Sequence, residues 1–247
     1  MNWQEMEDQA WDALSAGNHD TATRLARNVV RLEPNAIDSY NILCQTTDLI
    51  GEKIAFAKEA VRLGEIQFRD EISIAPNDVY PFYTNIETRP YMRALQGLSV
   101  TLWADERPGA KEEAIQVAQH ALRICPNDNI GFRFLLLEWL AISGKWSDGY
   151  SIAKTYGEDP MVPLRMWAAL YGFQAGELNY AKKRLDAALH YNPHVVKELT
   201  KKKPSKLSPM AMMAHGSIEE AKNYAGIAHE IWHNVPGAFE WLKSASQ

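Results

Sequence analysis

Five consecutive residues, His229-Glu230-Ile231-Trp232-His233, carry the spacing of a hydrolytic metal site. On a helix, histidines four apart share a face, so both imidazoles can ligate one zinc ion. The glutamate between them can then act as general base toward a bound water. The rest of such a site is missing. A protease that adds a glycine and a third histidine needs them at positions 236 and 239, which are Pro236 and Phe239, and the downstream carboxylate here is Glu240. The helix face argues the same way. Ile218, Ala221, Ala225, Ala228 and Trp232 mark a buried stripe, which puts His229 about 60° and His233 about 100° from its centre. The pair flanks a core instead of facing a cleft. A zinc-dependent hydrolase built on His229, Glu230 and His233 is therefore the alternative reading, and no metal or other cofactor is expected in the leading one.

Other chemistry-bearing residues have plainer explanations. His190 and His194 are also four apart, but Pro193 ends the helix between them, where imidazoles can serve free carbonyls. Lys201-Lys202-Lys203-Pro204-Ser205-Lys206 reads as a solvated loop rather than an import or polyphosphate patch. Cys44 and Cys125 form no CxxC pair, which suits a reduced cytoplasmic chain. Six of the eight tryptophans (Trp11, Trp103, Trp139, Trp146, Trp167 and Trp232) fall on helical apolar stripes, and Trp3 and Trp241 sit where they would cap a stack. The sequence contains no Walker loop, GxSxG or dinucleotide fingerprint.

Composition narrows the partner class. The 247 residues are 46% apolar and 23% charged with a formal net charge of −5, a globular balance with no electrostatic case for nucleic acid or anionic membrane. The N-terminal Met1-Asn2-Trp3-Gln4-Glu5 lacks a basic-then-apolar signal pattern. The most apolar stretch, 132–142, contains Arg133 and Glu138, so no membrane span is expected.

The elements that must position these side chains repeat along the chain. Each unit has a glycine, a small residue five positions on, then small or apolar residues every three or four, and often a closing proline. Examples are Gly17–Ala22–Ala26–Val29 before Pro34, Gly109–Ala114–Ala118–Ala121 before Pro126, and Gly176–Ala181–Leu185–Ala188 before Pro193. Gly51–Phe56–Ala60–Leu63, where Phe56 replaces the small residue, Gly144–Gly149–Ala153–Tyr156 and Gly216–Ala221–Ala225–Ala228 complete the set. Glycine permits a left-handed turn after a first helix, small residues let a second helix approach closely, and proline stops it. Ser217 with Glu220 three residues later predicts a capping box. No run alternates with period two.

This unit resembles the tetratricopeptide repeat. It predicts an all-α protein, a right-handed superhelical stack of antiparallel helix pairs forming one domain over 1–247. Two irregular insertions interrupt it. Residues 64–90 read as an extended second helix plus a loop packed by Tyr80, Phe82 and Tyr83, and 196–214 as short helices and loop. Within it, Glu87-Thr88-Arg89-Pro90-Tyr91-Met92-Arg93-Ala94, Cys125-Pro126-Asn127-Asp128-Asn129 leading into Leu135-Leu136-Leu137, Asn192-Pro193-His194-Val195 and Pro236-Gly237-Ala238-Phe239-Glu240-Trp241-Leu242 are similar to the suppressor-of-tumorigenicity-seven proteins and their bacterial relatives. That resemblance runs from about residue 50 onward. It implies a helical-repeat protein with no catalytic residues to carry over.

First helices line the concave wall of such a stack, where peptides bind through a few aromatic or arginine anchors. The register places Asn41, Gln45, Arg93, Gln96, Phe134, Glu138 and Met166 on that wall, with Arg133 and Arg165 nearby. A chaperone-tail carboxylate clamp is not expected, because its positions fall on Ile42 and Glu7. The leading expectation is a non-enzymatic scaffold for a protein or peptide partner.

Overall fold

A computed structural model describes residues 2–75 and 82–246. The chain is all-helical, with no strand among the described residues. It divides into two compact units, Met1–Phe132 and Arg133–Gln247. The first holds α1 (Trp3–Ser15), α2 (His19–Leu32), α3 (Ile37–Thr46), α4 (Ile50–Gln67), α5 (Arg69–Ile74), α6 (Arg89–Ala104) and α7 (Ala110–Ile124). The second takes α8 (Phe132–Ile142) from its second residue, then α9 (Trp146–Tyr156), α10 (Val162–Gln174), α11 (Leu178–Tyr191), α12 (Val195–Leu199), α13 (Ile218–Asn234) and α14 (Ala238–Ala245).

Sequential helices pair antiparallel, α1 with α2, α3 with α4 and α6 with α7 in the first unit, and α10 with α11 in the second. Small side chains make these approaches possible. Ala22 and Ala26 on α2, Ala114 and Ala118 on α7, Ala181 and Ala188 on α11, and Ala225 and Ala228 on α13 are all fully buried. Helices α2, α7 and α11 end at Leu32, Ile124 and Tyr191, each just ahead of its proline.

Five of the six repeat glycines stand at left-handed corners, with φ of +73° at Gly17, +85° at Gly109, +69° at Gly144, +76° at Gly176 and +75° at Gly216. Gly51 departs from the pattern: it lies in the first turn of α4. The preceding corner is made by extended residues instead, Thr47 at ψ 148° and Leu49 at ψ 115°. Counting from Gly51 therefore misplaces the small-residue slot by one, and Ala57 is buried where Phe56 was expected.

Residues 68–75, 82–88 and 196–214 depart from the helix-pair pattern. After Gln67 the chain turns into α5, and Phe68, Phe82 and Tyr91 pack as an aromatic cluster with centroids 6.0–6.3 Å apart. The Tyr83 carbonyl accepts from Arg89 Nε at 3.2 Å, whereas Tyr80 lies outside the described residues. In the second insertion only the five-residue α12 is helical before Ser217.

Asp128, in the left-handed region at φ +48°, accepts from the backbone N–H of Gly131 at 3.0 Å and of Phe132 at 2.7 Å and so caps α8. Ser217 caps α13 by accepting from Glu220 N at 3.1 Å. The Glu220 carboxylate reaches one residue further back than a capping box requires, to Gly216 N, and crosses to Asn192 Nδ2, both at 2.9 Å. Cys44 and Cys125 are free and buried.

Candidate functional site

In the first unit α3 and α6 lie side by side, with α1 and α4 as flanks. On α3, Asn41 and Gln45 are one turn apart; on α6, Arg93, Gln96, Gly97 and Val100 share a face. With Trp11 of α1 and Lys53 of α4 they enclose a cleft of about 560 Å³. Four residues chosen from the repeat register thus line one cleft.

Their roles in it differ. Asp38, buried at the start of α3, accepts Arg93 Nε at 2.9 Å and pairs with a second guanidinium nitrogen. Asn41 Nδ2 donates to Asp38 Oδ1 and to the Pro90 carbonyl, both at 2.9 Å. The Arg93 guanidinium also lies 5.6 Å from the centre of the Trp11 ring. Asn41 and Arg93 therefore form the frame that fixes α3 to α6. Gln45 is exposed, and Gln96 makes only a long bond of 3.4 Å to the Ile130 carbonyl. Lys53 has no ion-pair partner among the described residues. Because Asp38 offsets Arg93, Lys53 is, among the described residues, an unpaired positive charge of the cleft beside the amides of Gln45 and Gln96. Behind them the Cys44 thiol, pushed up by burial, sits 3.8 Å from the Thr101 hydroxyl and is no ready nucleophile.

In the second unit Phe134 and Glu138 come together on α8, lining a cavity of about 370 Å³ with Met161, Trp167, Tyr224 and Ile227 among its walls. Met166 corrects the wall assignment: it is fully buried in the core. Helix α10 packs against α9, α11 and α14 and is buried on every side from Leu164 to Gly172, so it offers no open wall at that position. Pro163 and Trp167 are the α10 residues that reach the cavity. The arginines expected beside the wall are structural ties. Arg133 pairs with Asp159 at 3.1 Å. Arg165 donates to the carbonyls of Asp159 at 2.8 Å and Ala187 at 3.1 Å and lies 4.4 Å from the Tyr191 ring centre.

The histidine pair on α13 packs against Phe239, with His229 half-buried and His233 exposed. The His229 and His233 rings stack with centroids 6.3 Å apart, and Phe239 meets both edge-on at 5.6 and 5.5 Å. His229 Nε2 is within 2.9 Å of the Lys201 carbonyl. No group of three or more His, Cys, Asp or Glu that could hold a metal ion occurs among the described residues. Lys201 is itself anchored: its ammonium bonds both oxygens of Glu198, at 2.6 and 2.7 Å, and Ser205 at 2.8 Å. Register counting missed Asp38 and Lys53. Asp38 sits in the first turn of α3, where an acidic residue reads as a helix-dipole partner, and Lys53 belongs to a second helix.

Sequential antiparallel helix pairs, with small residues buried where they meet, make this an all-helical fold. No family model matches the sequence, and no curated protein matches it. Among solved structures the chain is similar to TTC0263, a thermophilic TPR protein of Thermus thermophilus, at 17% identity and a TM-score of 0.42, over 79% of this chain and 94% of that one.

Proposed function

We propose that the chain is a non-enzymatic protein-interaction scaffold or adaptor that holds a peptide or protein segment in the cleft between α1, α3 and α6. One observation carries the reading: a rigid Asp38–Arg93–Asn41 frame stands under side chains that still have donors to give, Gln45, Gln96 and Lys53. An extended segment presents main-chain carbonyls and acidic groups that such donors accept, and Trp11 and Val100 supply apolar contact. The partner is not a chaperone tail on this reading, because Ile42 is buried and the Glu7 carboxylate accepts from Ser39 at 2.7 Å. The resemblance of residues 87–94 and 236–242 to the suppressor-of-tumorigenicity-seven proteins fits a scaffold, since that family offers no catalytic residues.

Capture from a lysate of the source organism by the immobilised full chain tests this. Arg93→Glu is a poor probe, because it breaks the frame. The Gln45→Ala/Gln96→Ala double variant and Lys53→Glu leave the frame intact, and each is expected to reduce the captured partner by about ten-fold. Undiminished capture by both would remove the cleft as the binding surface.

A further inference from the structure

The cavity of the second unit has a chemistry of its own that does not depend on the peptide reading of the first. Its walls are mostly apolar: Phe134 from α8, Met161 just ahead of α10, Trp167 within α10, and Tyr224 and Ile227 from α13. Tyr224 is fixed from behind, since its hydroxyl accepts from Trp232 Nε1 at 2.8 Å and its ring meets Trp167 edge-on at 5.6 Å. The chain from Met213 to His215 closes one side. A volume of about 370 Å³ lies within the range of small-molecule sites.

Two carboxylates line this space, Glu138 from α8 and Glu220 from α13. Glu220 is already employed: it accepts from Gly216 N and Asn192 Nδ2 at 2.9 Å, and His215 Nδ1 lies 3.7 Å away. Glu138 is not. It is half-buried, and among the described residues nothing is hydrogen-bonded or ion-paired to it. Burial alone pushes its carboxyl above the usual range, as expected for a charge taken from water with no compensation. A carboxylate kept in an apolar pocket without a partner costs stability unless something binds it. Two carboxylates against one imidazole exclude anions. Aromatic faces beside a carboxylate favour a cation with an apolar body.

We propose that this cavity is a binding site for a small organic ammonium compound, its cationic nitrogen paired with Glu138 and its apolar or aromatic body seated among Phe134, Trp167 and Tyr224. Ile227 is a lining residue that is itself exposed, so on this proposal it stands at the entrance.

Isothermal titration of the full chain with three isosteric probes tests the assignment: 4-phenylbutylammonium, neutral 4-phenylbutan-1-ol and anionic 4-phenylbutanoate. The ammonium probe is expected to bind with a dissociation constant below about 1 mM, the alcohol at least about ten-fold more weakly and the anion not at all. Glu138→Gln keeps the shape and should remove the preference for the ammonium over the alcohol. Ile227→Trp should fill the entrance and abolish binding of both, with the helical circular dichroism of each variant unchanged. Equal binding of the ammonium probe by the parent chain and Glu138→Gln overturns the proposal. So does undiminished binding by Ile227→Trp, which would put the site elsewhere, and so does no saturable binding of the ammonium probe.

Discussion

A half-buried acid without a partner among the described residues and a buried acid with two donors make opposite predictions. Glu138 belongs to the first kind. Because its folded-state carboxyl titrates above the ordinary range, the folded chain keeps that proton to higher pH than the unfolded chain does. The stability this contributes is complete below the ordinary carboxylate pKa and is lost as pH rises through the folded value. Glu138→Gln is therefore expected to melt a few degrees above the parent at pH 7.5, with the gap closing near pH 4, in thermal denaturation followed by circular dichroism. A gap that does not change with pH would mean that the charge is not the cause. Asp38 is the second kind. It holds Arg93 and Asn41 at once, so Asp38→Ala strands a guanidinium and an amide in the α3–α6 seam. Loss of about 2–3 kcal/mol is expected from urea denaturation of the full chain. Asp38→Asn, which can still accept, should lose less.

Helix packing turns on where a side chain is missing. Gly64 on α4 and Gly149 on α9 lie against buried tyrosine rings, and a Cβ at either would fall 2.2 Å from Tyr91 or Tyr171. Neither ring can retreat: Tyr91 packs on Phe68 and Phe82, and the Tyr171 hydroxyl donates to the Leu137 carbonyl at 2.6 Å. Gly51, also helical, has open space around it. Gly51→Ala should therefore stabilise by about 0.5–1 kcal/mol through helix propensity, whereas Gly149→Ala should destabilise by about 1–3 kcal/mol through overpacking. Equal effects from the two would refute close packing at the α9–α10 seam. The same contrast explains what the sequence could convey. Small residues at helical spacing announced the buried stripes of α2, α7, α11 and α13, because close approach admits few residue types. It could not locate the α3–α4 corner, because extended threonine and leucine turned the chain as well as glycine does elsewhere. Nor could it separate Met166 from Trp167 as the residue reaching the cavity. A helix packed on every side presents no polar face from which to count, so α10 carries no register in its pattern. Asn41 and Arg93 were legible as residues of one wall, but the Asp38 that joins them across α3 and α6, and makes them structural, was not.

At the scale of the molecule, what matters is that each unit carries its own core. In the first, Ala10, Ala22, Leu25, Ala26, Ile42 and Leu43 cluster with Trp11 and Phe56 packed against them. In the second, one cluster includes Trp167, Leu185, Ala225, Trp232 and Leu242. A repeat protein's stability is a sum of local terms and nearest-neighbour interfaces, so residues within one core should melt together and distant ones need not. Calorimetry of the full chain is expected to give a calorimetric enthalpy larger than the van't Hoff value, with two resolvable components. Substitutions that overfill one core assign them: Ala26→Leu should lower only one component and Ala225→Leu only the other, each by several degrees, because an extra side chain in a closed core costs about 1–3 kcal/mol. The unaffected component serves as the internal control for each variant. If instead both variants shift one sharp transition whose two enthalpies agree, the chain folds as one cooperative body, and a ligand held by Glu138 would then stabilise the α3–α6 cleft along with everything else.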